Sequence, residues 1–262
     1  MIYIAFIIGT IIGSFLNVCI YRLPKGESIL FPASHCPNCK RELSFFDLIP
    51  ILGYFLLRGK CRYCQEKIAV RYLIVEIAVG IAFAVIWLIN GWNVFNFIFQ
   101  ATFVSLFISI FFMDLEHQVI PDLWIVFGLA SGLMFNFFRT LFLSGGEFSS
   151  PSFVSSVSGA MLGFIFLYAI AKIGKKLLNK EVMGEGDYYV AAVLGAYLGW
   201  QNVFVAIFLS YLSASIIIVF LLLAKKVKFG DYIPFGPAFA VGGILTIFLG
   251  KTIIGSYLSL FL

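Results

Sequence analysis

Two groups of residues in this sequence have types and spacings that could do chemistry. The first is four cysteines in two pairs, Cys36-Pro37-Asn38-Cys39 and Cys61-Arg62-Tyr63-Cys64, with 21 residues between the pairs. Each C-x-x-C turn points two thiolates at one place, and two such turns make the tetrahedral sulfur set that suits Zn2+. The gap is slightly wider than the roughly 15–20 residues of most zinc ribbons. Four protein ligands leave no open coordination position, so the ion would organise the loop and not catalyse. Lys40, Arg41, Lys60 and Arg62 flank the pairs and are expected to favour thiolate. Disulfides and free thiols are the competing readings, the first disfavoured in a reducing compartment. Cys19, in an apolar run, reads as a small core residue, and His35 as a bystander beside four thiols.

The second group is acidic. Of thirteen Asp and Glu, five fall at or within apolar segments: Glu76, Asp114, Glu116, Asp122 and Asp187. Ionisable groups in such places are costly, which makes function the default reading. Glu76 follows Arg71 and Tyr72 by a helical turn, and a structural pair with Arg71 or a lysine is the expected role. Asp122 follows Pro121 at a helix start and Asp187 opens another helix, where dipole and free N–H groups welcome a carboxylate. Capping therefore competes with function at both. Asp114 lies at the C-terminal end of its helix, where the dipole opposes a negative charge. Something must compensate it, or it is kept for chemistry. Asp187 closes the run Gly184-Glu185-Gly186-Asp187, whose glycines permit unusual dihedrals and close approach of an extended peptide. Two aspartates about one water apart share a proton, one acting as base and the other as acid. The dipoles assign that proton to Asp114 and leave Asp187 ionised.

The elements that must position these groups are membrane spans. The 262 residues are 61% hydrophobic and 12% charged, against about 25% charged in soluble domains. Apolar runs near the ~20 residues of a crossing recur at 2–21, 72–89, 94–113, 119–138, 153–171, 186–200, 202–223 and 233–254. The split between the sixth and seventh rests on Gly199-Trp200-Gln201-Asn202, a turn with an interfacial tryptophan. The run 2–21 lacks a basic start and a cleavage site, so it reads as a retained helix. Alternating segments place 16 of the 18 Lys and Arg on one face, with only Arg139 and Lys251 opposite. Cytoplasmic loops carry that excess, which puts both termini outside. The expected architecture is an all-α polytopic membrane protein of about eight transmembrane helices with a cytoplasmic zinc-ribbon-like loop after the first. Its parts are a first helix at 1–21, the four-cysteine loop at 22–71, and a seven-helix membrane domain at 72–262. Within the loop, Leu48–Leu57 is too short to span and is expected at the interface or against the bundle. Topology explains the net charge of +5, so no nucleic-acid partner is inferred.

The ordered set of motifs resembles the type IV prepilin leader peptidases, over nearly the whole chain. It comprises Gly13-Ser14-Phe15-Leu16-Asn17-Val18 with Tyr21-Arg22-Leu23-Pro24, the paired C-x-x-C loop, and Arg71-Tyr72 with Val75-Glu76. It continues through Asp114 to Ile120-Pro121-Asp122, then Gly184-x-Gly186-Asp187, and Pro234-Phe235-Gly236-Pro237. The resemblance implies a GxGD-type aspartyl protease in the bacterial inner membrane, with its active site facing the cytoplasm. It implies cleavage of the basic leader of prepilins or pseudopilins, often followed by N-methylation with S-adenosylmethionine. The family's catalytic pair maps onto Asp114 and Asp187, with Asp122, Gly184, Gly186 and Glu76 in support. Members usually carry Lys two residues after the GxGD aspartate, where this chain has Tyr189.

Other chemistries find little support. The chain has no H-E-x-x-H zinc-protease motif, and neither His35 nor His117 lies within a span to serve a serine. A proton-coupled transporter using the same aspartates is the alternative, but it places acids at the bilayer midplane. A non-catalytic zinc scaffold explains the cysteines and leaves Asp114 unexplained. The basic loops should repel a basic leader, unless Glu116, Glu181 and Glu185 offset them locally.

Overall fold

A computed structural model describes residues 1–142, 151–180, 183–228 and 233–259. Among these described residues eight α-helices follow in order: α1 (Ile2–Arg22), the short α2 (Leu52–Leu56), α3 (Val70–Asn90), α4 (Val94–His117), α5 (Asp122–Phe142), α6 (Phe153–Leu178), α7 (Glu185–Leu223) and α8 (Gly236–Leu258). Among the described residues six helices are long and apolar enough to cross a membrane: α1, α3, α4, α5, α6 and α7. Gly236–Gly250 of α8 is a shorter apolar stretch.

Helix ends follow their local chemistry. Ser152 caps α6 by accepting the Ser155 N–H, and Asn179 ends it in the left-handed conformation at φ 50°. The 39 residues of α7 would reach about 58 Å if straight, nearly twice a hydrocarbon core. It does not run straight: Gly199 takes φ 77° and ψ 173°, which breaks α7 into two limbs. A side chain there would also lie 2.6 Å from Pro151 Cβ and Ser155 Oγ. The sequence placed a turn at Gly199–Asn202, and the break falls on its first residue, with helix resuming at Trp200.

The chain separates into two compact units, Met1–Ser109 and Ile110–Leu262, with the boundary inside α4. In the first, α1 and α3 run antiparallel in close contact. A Cβ on Gly13 would lie 2.8 Å from Glu76 Cα, one on Gly9 2.7 Å from Val79 O, and Asn17 donates to Tyr72 O at 2.9 Å. Small residues at the crossing are how helices gain contact where lipid removes the hydrophobic drive. In the second unit α7 is the centre. Gly195 meets Gly159 of α6 backbone to backbone, Asn136 and Ser131 of α5 bond Ala196 O and the Tyr197 hydroxyl, and Gly242 of α8 rests on Ser210.

Candidate active site and candidate metal centre

The four thiols converge in the first unit. Cys36, Cys39, Cys61 and Cys64 have every Sγ within 4.8 Å of the others, and Cys36 Sγ lies 3.8 Å from Cys64 Sγ. A disulfide needs about 2.05 Å, whereas a tetrahedron with Zn–S near 2.3 Å sets sulfurs about 3.8 Å apart. The donor set therefore fits one tetrahedral metal ion.

Local backbone builds this arrangement twice. In the first knuckle Cys36 N–H donates to Arg41 O and Lys40 N–H donates to Cys36 O; in the second Cys61 N–H donates to Glu66 O and Gln65 N–H donates to Cys61 O. Lys40 and Gln65 occupy equivalent left-handed positions, at φ 59° and 61°. The bridges His35–Glu42 and Lys60–Lys67 close the two turns at equivalent places. The backbone N–H groups of Cys64 and Tyr63 hold the Cys61 thiol down at about 7. At Cys39 the Arg41 N–H pulls the same way, but burial and the crowding thiols push the group up to about 11. Flanking cations are engaged elsewhere: Arg62 pairs with Asp47, its Nε donating at 3.0 Å, and Arg41 lies over the Tyr63 ring. Thiolate at Cys61 is thus favoured by backbone N–H groups, in contrast to the expectation from basic neighbours. His35 turns its Nδ1 to Ala33 O and stays outside the sulfur cluster.

Glu76 is also in the first unit, and is buried. Its carboxylate accepts the Ile51 N–H at 2.7 Å and the Ser14 hydroxyl. The expected basic partner is not what holds it. Arg71 lies over the Tyr72 ring, 4.6 Å from its centroid.

The second unit contains Asp114, Asp187 and Asp122. Asp114 and Asp187 are both buried, at 3% and 8% exposure, and close enough for their charges to interact. Asp122 is exposed at the first residue of α5, where the helix dipole favours its charge. Asp187 is the third residue of α7, one turn from the N-cap Gly184, whose carbonyl accepts the Asp187 N–H at 3.2 Å. The glycines beside it have ordinary backbone. Gly184 is extended at φ −67°, and a Cβ on Gly186 would only touch Ile120 at 3.4 Å. Their effect is a narrow backbone beside the acid, not an unusual dihedral.

Asp114 is the compensated residue that its helix position demanded. The Gly236 N–H, at the start of α8, donates to Asp114 Oδ2 at 2.6 Å. A side chain at 236 would lie 2.7 Å from both Cβ and Oδ2 of Asp114, so only glycine admits this contact. The positive end of α8 supplies what the C-terminal end of α4 lacks. Because Oδ2 accepts that N–H, any proton the pair places on Asp114 sits on Oδ1. Pro237 follows at the second residue of α8, where its missing N–H costs nothing. Tyr211, on the second limb of α7, interacts with Asp187 through charge and packs its ring 4.8 Å from that of Phe235.

Sequence reasoning gave no role to Gly236 or Tyr211. For Gly236 a signal existed, a Pro-Phe-Gly-Pro run opening an apolar helix; for Tyr211 none did. Among the acids offered to balance the basic loops, Glu116 and Glu185 are exposed, with Glu116 3.9 Å from His117. Glu181 lies outside the described residues. Tyr189 is partly exposed and tilts against Tyr188 at 4.9 Å.

This pair of acids, each met by a helix N-terminus, is accompanied by matches to known proteins. The family described as the bacterial peptidase A24 N-terminal domain matches residues 7–89, and the type IV leader peptidase family matches residues 101–220. The prepilin leader peptidase/N-methyltransferase of Stutzerimonas stutzeri is 31% identical, covering 97% of this chain and 92% of its own length. The protein of the same name in Pseudomonas aeruginosa is 31% identical over 96% and 91%. The type 4 prepilin-like proteins leader peptide-processing enzyme of Escherichia coli is 32% identical over 92% and 91%. No solved structure matches. With similarity at this level running through both units, the chain belongs to the type IV leader peptidase family.

Proposed function

We propose that this chain is an aspartic endopeptidase that removes the basic leader of prepilins or pseudopilins and then serves N-methylation of the new N-terminus. The observation that carries this reading is the buried Asp114–Asp187 pair with two helix N-termini directed at it. The names of the relatives supply the substrate class and the second activity.

The geometry supports a two-carboxylate hydrolysis. A water between Asp114 and Asp187 gives a proton to the ionised carboxylate as its oxygen attacks the scissile carbonyl. The other carboxyl protonates the departing amide nitrogen as the tetrahedral intermediate collapses. The pair ends each turnover with its one proton, so its titration belongs to both residues together. Gly236 fixes the rotation of Asp114 through Oδ2 and leaves Oδ1 for the water or the proton. Gly184 and Gly186 keep the chain beside Asp187 narrow enough for an extended peptide. Asp122 and Glu76 support from outside this pair, the first through its charge at the start of α5 and the second within the first unit.

The cysteine cluster holds Zn2+ through Cys36, Cys39, Cys61 and Cys64, where the ion cross-links two knuckles. When bound, S-adenosylmethionine supplies the methyl group. Among the described residues no cradle for it stands out, and that cofactor rests on the names of the relatives. The chain lies in the bacterial inner membrane with eight crossings, both termini outside and the aspartates toward the cytoplasm, supported by the charge bias and the break at Gly199. The transporter alternative has no observation in its favour.

Incubating membranes carrying this protein with a candidate prepilin, followed by mass spectrometry of the product N-terminus, tests the reading. The expected product begins at the hydrophobic helix and gains one methyl group with S-adenosylmethionine present. Uncleaved prepilin alongside properly inserted enzyme would overturn the reading.

A further inference from the structure

The loop between α1 and α3 carries a run of apolar side chains that the fold turns outward. Phe45 (78%), Leu52 (59%), Phe55 (62%) and Leu56 (74%) are exposed on a 3-10 turn, Phe45–Leu48, and on α2. A loop entirely in water would not hold such a face open at the cost of so much apolar hydration.

The depth of the segment is set by a hydrogen bond to α3, at the level where α3 meets α1. The Ile51 N–H, one residue before α2, donates to Glu76, which also accepts from Ser14. Glu76 lies six residues inside the start of α3, about 9 Å along its axis. Ser14 lies eight residues before the end of α1, about 12 Å along that helix. The antiparallel register agrees, since Gly13 abuts Glu76 Cα. Both α1 and α3 are long and apolar enough to span, and Arg22 and Arg71 lie near the helix ends that the loop joins. Ile51 therefore sits about two helical turns below the level at which these helices leave the membrane.

The backbone there is strained. Ile51 holds φ 63° and ψ −54°, a conformation a β-branched residue rarely adopts. Such a residue persists only when its surroundings over-determine it, and the Glu76 carboxylate is what captures its N–H. On the other side Gly53 lies against the Asp47 carbonyl, which leaves no room for a Cβ there. The chain returns to exposed Arg58 and Lys60 immediately afterwards, cations suited to anionic headgroups.

We infer that Phe45–Leu57 is a lipid-inserted re-entrant wedge, pinned at Ile51 by Glu76, with Leu52, Phe55 and Leu56 among acyl chains. Non-helical backbone at membrane depth is tolerated where protein groups satisfy it, and the Glu76 carboxylate does so for the Ile51 N–H. The wedge stands independently of the peptidase reading, since it requires only that α1 and α3 span.

The test places p-benzoylphenylalanine at position 55 of the full chain, or at the polar control position 42, in phosphatidylethanolamine–phosphatidylglycerol vesicles. After irradiation, lipid adducts are read by mass spectrometry, with metal content checked to show an intact loop. Lipid adducts at 55 and their absence at 42 are the expected result. Equal lipid labelling at the two positions, or adducts at 55 to a second copy of the chain or another protein, would overturn the wedge. Adding Glu76→Leu should cause loss of the adduct at 55 with metal retained, while Glu76→Gln, which keeps an acceptor, should preserve it. An unchanged adduct with Glu76→Leu would remove Glu76 from the proposal.

Discussion

The cysteine loop and the aspartate pair solve the problem of positioning reactive groups in opposite ways. In the loop each knuckle is made from six consecutive residues, by the same two hydrogen bonds and a left-handed residue at the same position. At the aspartates nothing is local. Asp114 is completed by a backbone N–H 122 residues away, and Asp187 owes its place to the start of a different helix. Locally built sites tolerate disturbance elsewhere, whereas a site assembled from several helix ends fails when any one moves.

Substitutions should expose that contrast, the largest effect falling on the pair. In the proposed mechanism Asp114→Asn and Asp187→Asn each remove one half of the acid–base cycle, so leader cleavage in a prepilin gel-shift assay should fall by at least about 10²–10⁴-fold. Membrane insertion should be unchanged; full cleavage by both variants would remove the pair from the mechanism. Next comes Gly236→Ala, which places a methyl 2.7 Å from Asp114 Oδ2. A misplacement of about 1 Å in a reacting group costs about 10²-fold, expected in kcat with little change in KM. A rate near wild type would mean that the Gly236 contact does not orient the acid.

A smaller effect on cleavage is expected in the loop. Cys36→Ser with Cys39→Ser should abolish metal binding by elemental analysis, yet cleavage should stay within about tenfold, since a closed four-ligand site contributes structure and not chemistry. A loss equal to that of Asp187→Asn would erase the distinction between the two regions. The smallest change belongs to Asp122→Asn, which gives up a helix-terminal charge worth about 0.3–1 kcal/mol and should leave cleavage intact.

What could be read from the sequence follows the same division. The metal-type cluster was legible because C-x-x-C spacing alone constrains where two thiols point, and the apolar runs were legible because a span is a one-dimensional pattern. The break in α7 showed itself in Gly199-Trp200-Gln201-Asn202, where glycine and polar side chains interrupt an uncharged stretch. Asp114 was conspicuous through its wrong place on its own helix dipole, but its compensator was not, because no local signal ties Gly236 to a residue so far upstream. Glu76 misled for a related reason. Arg71 is close in sequence, whereas the actual donors, Ser14 and the Ile51 backbone, approach from α1 and from the loop.

The bond from Gly236 to Asp114 also has a consequence for biogenesis. Chains emerge at about 5–20 residues per second, so roughly 6–24 s separate synthesis of Asp114 from that of its donor. During that interval α4 and then α7 can be in the bilayer, with both acids made and Asp114 not yet oriented by α8. A hydrolase whose acid stays unoriented until α8 is made is spared from cutting indiscriminately beside the insertion machinery, and a nascent chain truncated before α8 should be inserted but silent.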